Sequence, residues 1–206
     1  MVDIEKLTKA AEQGDLNAQR RLADCYYDGV GVELNYDKAF EWYSKIMPSE
    51  DSEIIRRIGV YYYQKNDLNK AFLLWEKSAD LGNAAAHRNL GNCYYNGDGV
   101  PQNYVIAIEH YTQAAEQGDP IAQYNLAESY SNGLGVTQNF EKAIEWYEKA
   151  AQLGLLEAQF NLGVIYMKGE GVIQNYKKAA EWYKLAADQG DEEAKKILKH
   201  LYKRRI

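Results

Sequence analysis

The chain has 206 residues and a formal charge of −6, with 46% apolar and 26% charged residues, a folded-domain composition that excludes low-complexity disorder. No apolar run approaches the 18 residues of a membrane helix, so no membrane association is expected. Two cysteines are too few for a disulfide framework or a four-ligand zinc site, and eighteen tyrosines against three prolines point to helices with aromatic packing.

In chain order, Met1-Val2-Asp3-Ile4-Glu5-Lys6 lacks the basic-then-apolar layout of a secretory signal, so a cytoplasmic location is expected. Residues 1–15 read as a starting half-repeat, because Ile4 to Asp15 aligns with Ile108 to Asp119. Full repeats follow at about 16–50, 51–82, 83–118, 119–154 and 155–190, and a closing helix takes 191–206, all as one repeat domain. Gly97-Asp98-Gly99-Val100, Gly133-Leu134-Gly135-Val136 and Gly169-Glu170-Gly171-Val172 mark the period, and Gly29-Val30-Gly31-Val32 is an earlier copy. Asn35-Tyr36, Asn103-Tyr104, Asn139-Phe140 and Asn175-Tyr176 recur in step, each followed by an alanine at 39, 107, 143 or 179. Ala71 fits that column, but its repeat is short, and Gln64-Lys65-Asn66-Asp67 replaces the glycine loop.

Each repeat reads as two helices. In the first, Leu126, Ala127 and Tyr130 share one face. A glycine ends it at positive φ, and the second glycine allows a tight turn. Asn139 is the expected N-cap of the second helix, which carries Ala143, Trp146, Tyr147, Ala150 and Ala151. Gly118-Asp119 and Gly190-Asp191 pair a helix-ending glycine with an N-cap carboxylate, and Pro120 takes the first helical position. No segment alternates with period two, so no sheet is expected. One helix pair cannot bury its apolar face, whereas stacked pairs can. The expected fold is therefore all-α, a right-handed superhelical solenoid.

Charge is uneven. All acids lie at or before Glu193, leaving a body of net −12 and a tail of +6 from Lys195, Lys196, Lys199, Lys203, Arg204 and Arg205. An acidic body argues against nucleic acid and suits basic protein partners. The tail has two open readings, as a complement to the helix dipole or as a docking element.

The pattern Ala-Gln-Tyr/Phe-Asn-Leu, Gly-x-Gly-Val, Asn-Tyr/Phe-x-Lys-Ala, Trp-Tyr, Ala-Ala and Gly-Asp resembles the Sel1-like repeat (SLR) family, relatives of the tetratricopeptide repeats. The likeness covers nearly the whole chain except residues 44–68, where Pro48 and Ile46-Met47 depart from it. That stretch reads equally as a drifted repeat or as one that re-aims the superhelix. The resemblance implies a concave groove, lined by first helices, that binds a protein or peptide. Carried over from the tetratricopeptide repeats, it implies three columns: Arg20, Arg56, Arg88, Tyr124 and Phe160; Asp24, Val60, Asn92, Glu128 and Val164; Tyr27, Tyr63, Tyr95, Ser131 and Met167. Arginine and tyrosine are favoured at binding hot spots. The arginines have a second open role, pairing with Asp24 or Glu128 to hold the superhelix in shape.

Catalytic machinery is not expected. The Gly-x-Gly loops follow helices rather than strands, so they are not dinucleotide sites. His87, whose column otherwise holds Gln19, Gln123 and Gln159, is expected to be exposed. His110 replaces a packing tryptophan, and His200 lies in the cap. The three are expected to be scattered, with no metal site and no cofactor. Cys25 and Cys93 are expected as free thiols on the order of 20 Å apart. The leading function is a non-catalytic protein-binding scaffold. The runner-up is an acidic bacterial immunity protein that neutralises a basic toxin by tight binding. A β-lactam-directed hydrolase is a remote third. The oligomeric state is not legible.

Overall fold

The computed structural model describes residues 2–203. Among these residues there are twelve helices and no strand: α1 (Ile4–Glu12), α2 (Leu16–Asp28), α3 (Tyr36–Lys45), α4 (Ser52–Gln64), α5 (Leu68–Asp80), α6 (Ala84–Asn96), α7 (Tyr104–Glu116), α8 (Pro120–Asn132), α9 (Phe140–Gln152), α10 (Leu156–Lys168), α11 (Tyr176–Asp188) and α12 (Glu192–Lys203). This is the all-α helix-pair solenoid class that the sequence implies. The chain divides into two compact units, residues 1–86 and 87–206, with the division falling within α6.

Short polar side chains start the helices. Asn139 accepts a hydrogen bond from the Lys142 N–H, Asn175 from Lys178 and Asp119 from Ala122, so orphan amides of the first turn are satisfied. Pro120 stands at the first helical position, where its missing N–H costs nothing. The exception is α10, whose cap residue, Leu155, offers no side-chain bond.

The second loop glycine has a more specific cause than a tight turn. Gly135 has φ +74°, and a Cβ there would lie 2.5 Å from the Tyr104 carbonyl oxygen. The loop after α8 therefore rests on the first residue of α7, which only glycine permits. In the short repeat, Asn66 takes the left-handed conformation itself at φ 63°, so a two-helix turn forms without any glycine.

Inside unit 2, α7 to α12 pack in sequence, each against the next. First helices bury Ala122 and Leu126 or Ala158 and Leu162, and second helices bury Ala143, Tyr147, Ala179 and Tyr183. The Tyr183 ring occupies the space where a Cβ of Gly163 would sit, at 2.7 Å, which brings α10 and α11 together. Burying such a ring contributes about 2–3 kcal/mol. Trp146, expected beside Tyr147 in the core, is only half-buried, and Lys149 lies 3.7 Å from its ring centre.

Inside unit 1, α1 packs on α2, α2 on α3 and α4 on α5. Leu7, Ala11, Ala18 and Leu22 form one apolar cluster, and Ala23, Ala39, Tyr43, Ile54 and Ile58 form another. The irregular stretch falls here: α3 stops after 10 residues, ahead of Pro48, where second helices of unit 2 run for 13.

Candidate functional site

The second column organises both units in the same way. A residue at this position sits near the end of a first helix. The aromatic 19 positions later, on the paired second helix, points its polar end towards it. The Tyr43 hydroxyl donates to Asp24, Tyr111 to Asn92 at 2.8 Å, and Tyr147 to Glu128. In the short repeat, where the column holds Val60, the aromatic is Trp75, only 15 positions later, and its indole N–H donates to the Arg56 carbonyl oxygen instead, at 3.1 Å. Burial and the neighbouring carboxylate push the Tyr147 phenol well above its usual range, and Tyr43 behaves alike. These tyrosines thus stay protonated donors, and the column residues satisfy hydroxyls that would otherwise be stranded in the core.

A further polar row reaches back onto this column, and the sequence reading missed it. Asn125 donates to Asn92 at 3.3 Å and Asn161 to Glu128 at 3.1 Å, each from 33 positions later. Arg57 is the counterpart in unit 1, 3.5 Å from Asp24. The available signal was the polar residue directly before each core leucine, in Asn125-Leu126 and Asn161-Leu162.

In unit 1 the expected arginines are tied up. Arg20 lies 2.6 Å from Asp51 and 3.9 Å from Asp24. Arg56 is bound to Glu53 at 2.6 Å with only 12% of its side chain exposed. Arg57 bridges Glu53 at 2.7 Å and Asp28 at 3.0 Å and lies 4.3 Å from the Tyr27 ring centre. Burial alone would raise the Glu53 carboxyl, but hydrogen bonds from Arg56 and Arg57 prevail and hold it at about 2. Tyr63 is 39% exposed, with its ring 5.5 Å from that of Trp75. Ion pairing within the groove face was one open role of the arginines. Arg20 meets the expected Asp24, but the shorter contacts go elsewhere: to the N-cap Asp51 from Arg20, to Glu53 one helical turn away from Arg56, and to the N-cap Asp119 at 3.0 Å from Arg88.

In unit 2, three of the expected residues meet. Asn92, Tyr95 and Glu128 line a cleft of about 400 Å³ together with Asn96, Tyr111, Ile121 and Asn125. Tyr95 packs edge-on against Tyr104, with centroids 5.1 Å apart. Tyr124 stands beside Glu128: its hydroxyl accepts from Asn161 at 3.3 Å, and burial followed by the Glu128 charge raises its phenol. Phe160 packs edge-on against Tyr183, 5.4 Å between centroids, and neither it nor Arg88 lines the cleft.

Other expectations need correction. His87 is half-buried, and its Nδ1 lies 3.2 Å from that of His110, so two of the three histidines meet rather than scatter. Its column is not a surface column. Gln123 and Gln159 are 5% exposed and donate to the carbonyls of Ala115 and Ala151, 3.1 Å each. A glutamine three residues before a core leucine faces inward and needs a partner. Burial, then the charge of His87, lowers His110 to about 4. Among the described residues no cluster of three or more His, Cys, Asp or Glu could hold a metal. Cys25 and Cys93 are buried and free, and burial pushes Cys93 up to about 12, which leaves it a poor nucleophile. No described helix is long and apolar enough to cross a membrane. Arg204 and Arg205 of the basic tail lie outside the described residues.

Comparison with known proteins matches this pattern. The Sel1 repeat model matches residues 7–15, 16–46, 56–83, 84–119, 120–155 and 156–191. A Sel1 repeat protein of Oxalobacter formigenes is similar in structure, with TM-score 0.81 and 28% identity over 97% of this chain and 90% of its own. A protective antigen of uropathogenic Escherichia coli with an SLR fold gives TM-score 0.75 at 35% identity, over 98% of this chain and 44% of its own. An immunity protein of Pseudomonas aeruginosa gives TM-score 0.64 at 25% identity, over 90% and 72%. A Sel1-like repeat-containing protein of Acanthamoeba polyphaga mimivirus is 30% identical over 102 residues, 47% of this chain. The chain spans about a fifth of that relative's length and under half of the E. coli chain. With repeat matches over most of its length and the matching helix-pair fold, the chain belongs to the Sel1 repeat family.

Proposed function

We propose that this chain is a non-catalytic scaffold that holds a protein or peptide against its first-helix face, with the unit 2 cleft as the principal contact. The observation that carries this reading is the convergence of Asn92, Tyr95 and Glu128 in one open cleft beside Ile121, which is 42% exposed. Such a mix supplies aromatic and aliphatic contact area and amide groups able to pair with a peptide backbone. Arg20, Asp24, Tyr27, Arg56 and Tyr63 of unit 1, and Arg88, Tyr124 and Phe160 of unit 2, are further proposed contacts, each within its own unit. In unit 1 the arginines serve mainly to hold the helices, and Tyr63 adds a partly exposed ring.

A second reading is an immunity protein that neutralises a basic toxin. The acidic body and the likeness to the P. aeruginosa immunity protein favour it. Affinity capture from the native host's lysate, with wild type beside an Ile121→Asp/Tyr95→Ala variant at low and high salt, tests both. A scaffold should lose its partners in the variant and keep them in salt where apolar contact dominates. An immunity protein should capture one dominant basic partner, lost from the variant, whose capture weakens steeply with salt. Partners shared equally by wild type and variant would move the site away from the cleft.

A further inference from the structure

The charge of Glu128 is held without being neutralised. Its donors are the Tyr147 hydroxyl, the Asn161 amide at 3.1 Å and the Asn132 amide at 3.4 Å. All three are neutral. No lysine, arginine or histidine among the described residues forms an ion pair with it, although the counterpart Asp24 has both Arg20 and Arg57. The neighbourhood adds negative charge rather than removing it: Tyr124, beside Glu128, also feels the charge of Glu157. The half-buried carboxylate also lines the cleft. Neutral donors fix its direction while leaving its charge available, and burial makes a missing counter-charge more costly than it would be in open water.

From this we infer that the cleft takes a cationic side chain, a lysine or arginine of a bound peptide segment, whose head pairs with Glu128. Tyr95 and Ile121 cover its aliphatic stem, and the Asn92 and Asn125 amides meet the adjoining backbone. This rests on the proposed scaffold reading and names the chemistry of its partner. A lysine stem laid on Tyr95 would gain apolar contact as well as charge. The acidic body adds long-range attraction for the same class of partner.

The test is an NMR titration that follows the side-chain amides of Asn92 and Asn125. The probes are a short peptide of alternating lysine and glycine and its glutamine–glycine counterpart. The expected result is saturable perturbation of both amides by the lysine peptide alone. Glu128→Gln, which keeps an acceptor for Tyr147, should weaken it by about tenfold or more. Glu141→Gln, at an exposed carboxylate in the first turn of α9, should leave it unchanged. Equal binding to Glu128→Gln and wild type, or lysine-peptide perturbations confined to residues outside the cleft, would overturn the inference. So would equal response to the glutamine peptide. None of these results depends on the Ile121→Asp/Tyr95→Ala capture experiment, which alone decides the scaffold reading.

Discussion

Asp24 in unit 1 and Glu128 in unit 2 stand at the same position of the repeat, and each accepts a hydrogen bond from a buried tyrosine. Their surroundings differ in the cations: Arg20 and Arg57 stand beside Asp24 where Tyr124 and Asn161 stand beside Glu128. With arginine, the column becomes a closed ion network of Arg20, Arg56 and Arg57 with Asp24, Asp28, Asp51 and Glu53. With asparagine, the geometry persists but the charge stays unmatched. The repeat thus uses one scaffold position for two ends, structural cohesion in one unit and an open charged cleft in the other. What separates them is whether a cation comes from within the chain.

Breaking the closed network should have the largest effect. Arg57→Ala leaves Glu53 and Asp24 short of a partner in a half-buried setting and should cost about 2–3 kcal/mol in urea denaturation. Asn161→Ala, its counterpart, removes one hydrogen bond to Glu128 and should cost about 1 kcal/mol. Near-equal losses would erase the distinction between the units. Acid should also act selectively. The Glu53 carboxyl sits at about 2 in the folded chain against an ordinary 4.5, so the unfolded chain takes up that proton first as pH falls. Its stabilisation is complete above about 4.5 and is lost towards 2. Glu53→Gln should therefore flatten the fall in melting temperature over that window, and an unchanged slope would contradict the assignment. The smallest effects belong to exposed or neutral contacts. Arg20→Ala, 44% exposed, should cost under about 1 kcal/mol. Glu128→Gln should change stability by only about 0.5 kcal/mol, because one oxygen still accepts from Tyr147 and Asn161 and the exposed Asn132 amide turns to water.

Much of this was legible in the residues. The Gly-x-Gly-Val and Asn-aromatic markers fixed the helix pairs, and Asn139, Asp119 and Pro120 cap and start helices as read. The short repeat was visible in the loss of its glycines, and Asn66 shows why that loss is tolerated. The columns showed the Arg20–Asp24 pair but not the other partners. Arg56 and Arg88 pair with Glu53 and the N-cap Asp119, which are set by helix geometry rather than by groove register. Asn125 and Asn161 were overlooked because a polar residue beside a core leucine reads as surface until a partner on another helix is known. The same habit placed His87 outside, although its column's glutamines are buried donors to backbone carbonyls.

The most direct measurement is lysine-peptide binding to an Asn161→Arg variant. Arginine already occupies this column at Arg21 and Arg57, so the substitution belongs to the repeat's own repertoire. The account predicts that the new guanidinium pairs with Glu128, raises thermal stability and abolishes the perturbation of the Asn92 and Asn125 amides. Wild-type binding by a folded, stabilised Asn161→Arg protein would contradict it.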